Sequence, residues 1–479
     1  MNGLEPPLAS NDSNGSLCIL GLGREGRSTY TYLRKKFPNR HIFLFDEKPL
    51  DALTTWKEIS QNDVALVSFH TTVPLQQLTD PVIFCSPGIP PTRPLYQALA
   101  ALAPTWSSNL EEFFSALPDN VVTIGITGTK GKSTTSAVIN HLLKTAKLST
   151  ILAGNGGTPA LDVLESINTL CDSSEKVYAV LELSSHQLSR LSRSPHIAVI
   201  QNITPEHLDY YGTFAEYVAA KTQIVKNQTD SDLVLFCADY PESTKLAFTS
   251  AGKKMSFSLE GNAATIKVNT ENENLVIDGE MIVNLAKLPL LGKHNLINCI
   301  PGILIAKHLD ITTETITQGL TTFVPLQHRL EIVHTTDDIT YINDSLATTP
   351  EATLAALDAV GDKPCILIAG GHDRHLDYHE LAQAILNHKV KAVLLFPPTG
   401  ETIIRHMYQL EPTNMVVMSN YFKVASMWEA VKKAKSLAKP GDVVLLSPAA
   451  ASFGIFKDYE DRGEQFKQAV AELSVTQSE

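Results

Sequence analysis

The chain has 479 residues, 43% of them hydrophobic and 19% charged, with a formal charge of −12 at pH 7. That length exceeds a single hydrophobic core, so about three domains of ~100–200 residues are expected. The acidic balance argues against nucleic acid or an anionic membrane surface as the main partner.

The six cysteines (Cys18, Cys85, Cys171, Cys237, Cys299 and Cys365) are scattered and form no C-x-x-C pair. Structural zinc and a disulfide framework are therefore not expected. The start of the chain is polar and turn-rich, without the basic and apolar segments of a signal peptide. No apolar run is long enough to span a bilayer. A cytoplasmic monomer with no membrane insertion is the expectation.

In chain order, a first block opens with an apolar strand at Leu17–Leu20 that runs into GLGREG, Gly21 to Gly26, and a helix to about Lys36. A second strand, Ile42–Phe45, ends on Asp46. Val64–Val67 and Val82–Cys85 continue the pattern, the latter followed by Ser86, Pro87 and Gly88. Alternating strands and helices read as an open parallel sheet. Ser115 to Asn120, SALPDN, is a linker candidate. GLGREG is a full G-x-G-x-x-G between strand and helix, and Asp46 lies twenty residues beyond Gly26. Such glycines let the backbone approach a diphosphate at a helix N-terminus. NAD, a nucleotide-diphosphate substrate and a plain tight turn all remain open on this motif alone.

The second block starts with the strand VVTIGIT, Val121 to Thr127, followed by the loop TGTKGKST. The common template G-x-x-x-x-G-K-[ST] asks for glycine where the chain has Ile126. Strand, glycines, lysine, hydroxyls and helix nonetheless occur in the order that a phosphate loop requires. Its backbone N–H groups can cradle phosphates, Lys132 can reach the terminal ones, and Ser133 or Thr134 can meet Mg²⁺. VYAVLE, Val177 to Glu182, reads as a buried strand ending in an acid suited to the same ion. After the strand Ile197–Ile200 comes NITPEHLDYYG, with His207 between Glu206 and Asp209. Thr213 and Glu216 form a capping box, so a helix starts there. It carries Lys221, which composition reads as a solvated surface lysine. Lys253 to Val283, rich in Thr, Val, Ser and Asn, suggests a small extra sheet. A third block begins near Pro325, with strands at Ile366–Ala369, Ala392–Phe396 and Val443–Leu446, another α/β domain.

Taken together, TGTKGKST, LELSSHQ, NITPEHLD, Lys221, GKHNLIN, HRLE, NDSLATTPEA and SPAAASFGIFKDYEDRG resemble the Mur ligases of peptidoglycan synthesis over most of the chain. That family's loop is T-G-T-x-G-K-[ST], which accommodates Ile126. The resemblance implies three domains: a Rossmann-like domain over 1–118 for a UDP group, a phosphate-loop ATPase domain over 119–324, and a second Rossmann-like domain over 325–479 for an amino acid. It favours a UDP-sugar over NAD at Gly21, Gly23, Arg24, Glu25, Gly26, Asp46, Ser86 and Gly88, with Asn155 near the same substrate.

By the same resemblance, Gly128, Thr129, Lys130, Gly131, Lys132, Ser133 and Thr134 would hold ATP. Asn295 and Asn298 would face the adenine, and Arg329 and Asp344 would reach the nucleotide from the third domain. Two Mg²⁺ ions are implied, on Ser133, Glu182, His207 and a carbamylated Lys221. Lys132, Glu182, His207 and Lys221 would be the catalytic set. Thr348, Arg374, Ser452, Phe453 and Tyr459 would line the amino-acid site. The implied reaction joins glutamate to UDP-N-acetylmuramoyl-L-alanine through an acyl phosphate. D-Glutamate is expected, and L-glutamate is the alternative. Three positions depart from the family pattern: Leu346 stands for a lysine, Arg374 for a lysine, and Tyr459 for a phenylalanine. A dehydrogenase would leave the phosphate loop unexplained, and a nucleotide-regulated binding protein would have no need of the second metal site. A folate ligase would lack the first domain.

Overall fold

Short apolar strands, covered on both faces by helices, pair into three mainly parallel sheets. The computed structural model describes residues 15–475, apart from 50, 51, 54, 55, 57–62 and 64. The chain divides into two compact units. One runs to Leu285 and takes in Ile297–Leu320; the other joins Ala286–Leu296 to the chain from Thr321 onward.

In the first unit, β1 (Leu17–Leu20), β2 (Ile42–Phe45), β3 (Val67–His70), β4 (Val82–Cys85) and β5 (Thr105–Ser107) form a parallel sheet in the order β3-β2-β1-β4-β5. This is the doubly wound order, with its switch point between β1 and β4. Val64, expected in the third strand, lies outside the described residues, as does the polar start of the chain. The strand itself falls three residues later than expected, at Val67–His70.

The second sheet of this unit has nine strands. They are β6 (Val121–Thr127), β7 (Thr150–Gly154), β8 (Val177–Glu182), β9 (Ile197–Ile200), β10 (Leu233–Cys237), β11 (Lys253–Ser258), β12 (Ile266–Glu271), β13 (Asn274–Ile277) and β14 (Glu280–Asn284). Its order is β14-β13-β12-β11-β10-β9-β6-β8-β7. β6 lies between β8 and β9, with Ile126 level with Glu182 and Thr127 with Ile200. The carboxyl ends of three strands therefore open at one place, where ligands of such sheets bind. The expected extra sheet is not separate. β12 pairs with β11 through Ile266 and Lys267, and β13 and β14 follow as antiparallel hairpins on that edge. Both hairpin turns place two residues at positive φ, Asn272–Glu273 and Asp278–Gly279, the backbone that matches strand twist.

The second unit holds β15 (Glu331–Thr336), β16 (Ile339–Asn343), β17 (Cys365–Gly370), β18 (Val390–Phe396), β19 (Tyr421–Lys423) and β20 (Val443–Leu446), ordered β15-β16-β20-β17-β18-β19. Only the β15–β16 hairpin is antiparallel, and it turns on Asp337 and Asp338, both at positive φ. Alternate residues of these strands feed two apolar cores, one on each face of the sheet.

The two sheets of the first unit are joined by a buried polar residue. Asn109 begins the helix Asn109–Ala116, whose cap is Ser108 accepting from the Glu111 N–H. Its Nδ2 donates to Ser28 Oγ at 3.0 Å and Thr29 Oγ1 at 3.2 Å, and its Oδ1 accepts from the Leu161 N–H at 3.3 Å. Removing the amide leaves those groups buried without it, at about 1–3 kcal/mol in all. Asn109→Leu should therefore lower the urea midpoint of the full-length protein by about that free energy with an unchanged slope. An unaltered midpoint would show that the amide is not needed.

Candidate functional site

The loop after β6 has the backbone of a phosphate cradle. Gly128 lies at φ 154° and Gly131 at φ 86°, both in the region that favours glycine. A Cβ on Gly128 would sit 2.6 Å from Gln201 Cβ, and one on Gly131 would sit 2.3 Å from Asn298 Oδ1. Neighbouring chain fixes the loop. The Thr129 N–H donates to the Asn202 carbonyl at 2.7 Å, and the Lys130 N–H to Asn202 Oδ1 at 3.0 Å. Thr129 Oγ1 donates to the Thr204 carbonyl at 3.0 Å and lies 2.9 Å from the Tyr217 hydroxyl. The helix Lys132–Thr145 starts immediately after Gly131, so its N-terminal N–H groups and positive dipole end face the loop. Ser133 and Thr134 stand in its first turn. Lys130 reaches Glu206 at 2.7 Å on the surface.

Two lysines converge on this loop. Lys132 Nζ donates to the Gly128 and Thr129 carbonyls, each at 2.9 Å. Lys221 Nζ donates to the same Gly128 carbonyl at 2.9 Å. The plain reading of Lys221 as a solvated lysine is wrong: it is 1% exposed. It is on the helix Phe214–Lys226, whose Thr213–Glu216 capping box forms as expected. Its Nζ also sits 4.8 Å from the centre of the Tyr217 ring, one helical turn back. Burial first, then the charge of Lys132, push the amine well below the ordinary lysine value, against the opposing pull of Glu206.

Glu182 is buried at the end of β8. Its Oε1 accepts from Asn155 Nδ2 at 3.2 Å, and a Cβ on Gly156 would come within 2.6 Å of Oε2. His207 is held at φ 56°, a left-handed conformation costly for histidine. Its ring centre is 4.8 Å from that of His186. Burial, His207 and Lys221 push His186 down to about 4, so it is neutral near pH 7. Tyr217, His186 and Gln201 were not singled out by the sequence. His186 lies within the quoted LELSSHQ, and Tyr217 stands four residues before Lys221 on the same helix face. Among the described residues no three His, Cys, Asp or Glu side chains group as a metal site. A cation here would need hydroxyl, phosphate or carbamate oxygens as well.

The glycine loop of the first sheet is equally specific. A Cβ on Gly26 would lie 2.2 Å from the Gly21 carbonyl oxygen, whereas Gly23 has open space before it. Asp46 accepts from the Leu22 N–H at 2.8 Å and the Lys48 N–H at 2.9 Å. Its carboxylate braces the loop, a role different from gripping a ribose. Ser86 Oγ donates to the Gly21 carbonyl at 2.6 Å. Glu25 is half-buried and accepts from Gln187 Nε2 at 2.6 Å, and desolvation raises it above the usual carboxylate range. Arg24 reaches the Gly157 carbonyl at 3.5 Å, near Asn155.

Asn298 is buried beside Gly131, whereas Asn295, earlier on the helix Lys293–His308, donates to the Leu291 carbonyl at 2.8 Å in the other compact unit. In that unit Asp344 is buried at the end of β16, accepting from Ser447 Oγ at 2.8 Å and the Leu330 N–H at 3.2 Å. Burial raises it to about 7, against hydrogen bonds and the charges of Arg329 and Arg462. Arg462 is wholly buried and donates to Ser345 Oγ, the Ser345 carbonyl and the Ala450 carbonyl at 2.7–3.0 Å. It joins the loop carrying Thr348 to the loop carrying Ser452 and Phe453. Ser452 is buried, while Phe453 and Arg374 are exposed. The Tyr459 carbonyl accepts from Ser345 Oγ.

The family description "Mur ligase middle domain" matches residues 126–306, and "Mur ligase, glutamate ligase domain" matches residues 328–450. A UDP-N-acetylmuramoylalanine–D-glutamate ligase of Desulfitobacterium hafniense (strain Y51) is 36% identical over 459 residues, 94% of this chain and 96% of that protein. One of Bacillus cereus (strain B4264) is 34% identical over 464 residues, 96% and 98% of the two chains. The chain belongs to the Mur ligase family. Among solved structures, the MurF ligase of Thermotoga maritima in complex with ADP matches this Mur ligase with a TM-score of 0.59 at 17% identity, over 92% of this chain and 97% of that one. A UDP-N-acetylmuramate–alanine ligase of the same organism gives 0.57 at 16% identity, over 96% and 99%. The three-domain α/β Mur ligase fold expected from the sequence is the one found. Among the described residues no helix is long and apolar enough to cross a membrane.

The raised Asp344 sets a pH dependence in this Mur ligase. An unfolded aspartate titrates near 3.9, and the folded one near 7. The fold thus binds a proton more tightly than the unfolded chain. That stabilisation is present below about pH 4 and is lost as pH rises through about 7. Calorimetry should show the wild type losing more thermal stability between pH 5 and 8 than Asp344→Asn, by a few degrees. Parallel curves would exclude a proton on Asp344.

Proposed function

We propose that this Mur ligase joins D-glutamate to UDP-N-acetylmuramoyl-L-alanine at the expense of ATP, in peptidoglycan precursor synthesis. The observation that carries the reading is the buried Lys221 on the Gly128 carbonyl of the phosphate loop. A binding protein gains nothing from that desolvated amine. The relatives named for D-glutamate support the choice of amino acid, and the ADP complex of a fold neighbour supports ATP. The three sheets support the division at 1–118, 119–324 and 325–479, for the UDP group, ATP and the amino acid in turn.

In the reaction, an oxygen of the acceptor's terminal carboxylate attacks the γ-phosphorus, and ADP leaves. The amine of glutamate attacks the acyl phosphate, a tetrahedral intermediate expels phosphate, and the nitrogen loses a proton. With the Thr129 and Lys130 N–H groups taken by Asn202, the N–H groups at the start of the helix Lys132–Thr145 would hold the phosphates, and Lys132 would move from loop carbonyls to their charge. A carboxylate is a poor acyl donor, so activation and positioning carry most of the rate.

Two Mg²⁺ ions would offset the negative charge that converges there. The donors fit: Ser133 and Glu182 for one ion, His207 and a carbamate on Lys221 for the other. Because burial favours its neutral amine, Lys221 Nζ can attack CO₂, forming an N–C bond and releasing a proton. The neighbouring Lys132, which opposes a second cation, would stabilise that anion. Asn295 and Asn298 are assigned to the adenine, and Arg329 and Asp344 to the nucleotide. Thr348, Arg374, Ser452, Phe453 and Tyr459 are assigned to glutamate.

L-Glutamate is the second reading, favoured by Arg374 and Leu346. An arginine grips a carboxylate with two parallel bonds where a lysine offers a point charge. Misplacing the amine by about 1 Å can cost on the order of a hundredfold in rate, so one enantiomer should be strongly preferred. Phosphate release should require ATP, the acceptor and glutamate together, with kcat/KM for D-glutamate well above that for L-glutamate. The opposite preference would move the chain to L-glutamate addition. Lys132→Ala should lose turnover by a hundredfold or more, the scale expected from about 3 kcal/mol, with the fold intact. Lys221→Ala should lose activity and regain part of it in acetate, since both carbamate and carboxylate offer oxygen ligands. Unchanged kinetics in Lys221→Ala would defeat the carbamate.

A further inference from the structure

The turn after β4 and the segment that carries His207 meet at a single carbonyl. The Ile89 carbonyl accepts from Arg190 NH2 at 2.7 Å and from the Tyr210 hydroxyl at 3.2 Å. The Tyr210 hydroxyl also lies 3.3 Å from the Pro87 carbonyl and 3.5 Å from Arg190 NH2. The guanidinium rests 5.4 Å over the Tyr96 ring, which stacks on Trp106 at 4.5 Å.

On one side, this turn packs against the glycine loop. A Cβ on Gly21 would meet Ile89 Cγ1 at 2.8 Å, and Ser86 already bonds the Gly21 carbonyl. On the other side, the Tyr210 and Tyr211 N–H groups both donate to the His207 carbonyl at 3.0 Å. His186 packs edge-on against Tyr210 at 4.3 Å and against His207 at 4.8 Å. One chain of contacts therefore runs from Gly21 through Ile89 and Tyr210 to His207.

The geometry points to Arg190 and Tyr210 as positioning residues that set the span between the acceptor's diphosphate anchor and its reacting carboxylate. The inference rests on the proposed placement of the UDP group at the glycine loop. An acceptor gripped at one end must present its far carboxylate at a fixed distance. Family members that act on UDP-N-acetylmuramate and on UDP-N-acetylmuramoyl-L-alanyl-D-glutamate take acceptors of different lengths. A clamp joining the two ends of the site is where such a length is held. Neither residue touches the reacting atoms.

The test is steady-state kinetics on the full-length protein with wild type, Tyr210→Phe, Arg190→Met, Arg190→Lys and the double variant Arg190→Met/Tyr210→Phe. Acceptors are UDP-N-acetylmuramate, UDP-N-acetylmuramoyl-L-alanine and its D-glutamyl extension. Tyr210→Phe removes one hydroxyl and should raise KM for the acceptor about fivefold, with KM for ATP and glutamate unchanged. Discrimination against the shorter acceptor should fall by a similar factor. Because both groups act on one carbonyl, the double variant should lose less than the product of the single losses. Arg190→Lys should recover part of what Arg190→Met loses. If wild type turns over but the variants keep its acceptor KM and length preference, the clamp alone is overturned. Loss that falls equally on all three KM values, or tracks a lowered melting temperature, overturns it too. If wild type releases no phosphate with any of these acceptors, the functional reading falls and the clamp with it.

Discussion

The Gly128 carbonyl oxygen accepts from two lysines at once, Lys132 and Lys221, each at 2.9 Å. Two ammonium groups meeting at one oxygen, one of them fully buried, repel each other more strongly than a single carbonyl can offset. The conflict is resolved by lowering the proton affinity of Lys221, which is buried while Lys132 is part-exposed. A neutral amine beside a cation can become an anion at little electrostatic cost. Gly128 itself adopts φ 154°, a conformation that L side chains rarely take. The loop holds that shape because Asn202, Thr204 and Tyr217 bind its backbone and Thr129. The glycine spacing that departs from the common template has the same origin. Ile126 belongs to the strand: it is fully buried and level with Glu182 on one side and Val199 on the other. The loop proper begins after Thr127.

The two glycine-rich loops of the chain use the same backbone freedom for different ends. In TGTKGKST the glycines turn N–H groups and lysines toward one small volume. In GLGREG, a Cβ on Gly26 would run into the Gly21 carbonyl, whereas Gly23 has open space before it. Asp46 shows how a motif can match a template and still carry another task. It has the spacing of a ribose-binding acid, yet one oxygen accepts from the Leu22 N–H of the glycine loop and the other from the Lys48 N–H of its own turn. A carboxylate committed to that bracing is a poor choice for reading a sugar, which weakens the dinucleotide reading on physical grounds.

Strands were legible where both faces are buried, because a continuous apolar run leaves little choice. Leu17–Leu20, Ile42–Phe45, Val82–Cys85, Val177–Glu182 and Ile197–Ile200 fall where the residues place them. The edge of the central sheet was less legible. β12 to β14 alternate polar and apolar residues, as any small sheet would, and only a two-residue pairing with β11 decides that they extend the larger one. In the site, residues within a motif were readable and those between motifs were not. Lys221 looks like a surface lysine because nothing nearby in sequence announces its burial. Its enclosure comes from a capped helix packing its Lys221 face onto the phosphate loop, a tertiary effect that overrides composition. Arg190 and Tyr210 meet Ile89 across 101 and 121 residues of sequence, and no local pattern encodes such a contact.

The departures in the last third of the chain can be ranked by what surrounds them. Leu346 offers no charge, but its N–H donates to the His328 carbonyl, so its backbone still serves the turn that follows β16. Tyr459 accepts at its carbonyl from Ser345 Oγ and donates its hydroxyl to Glu460 at 3.1 Å. Arg462 itself needs no partner carboxylate in direct contact: three neutral oxygens surround it, and burial pushes it down to about 10. The loops it joins are therefore organised by a buried residue that bonds only their own oxygens. Of the three departures, Arg374 is the one that is charged and exposed, two residues beyond the bridge between His372 and Ala451. On the proposed assignment of Arg374 to glutamate, the reach of its guanidinium and its planar pair of donors would matter more than the charge that Leu346 lacks.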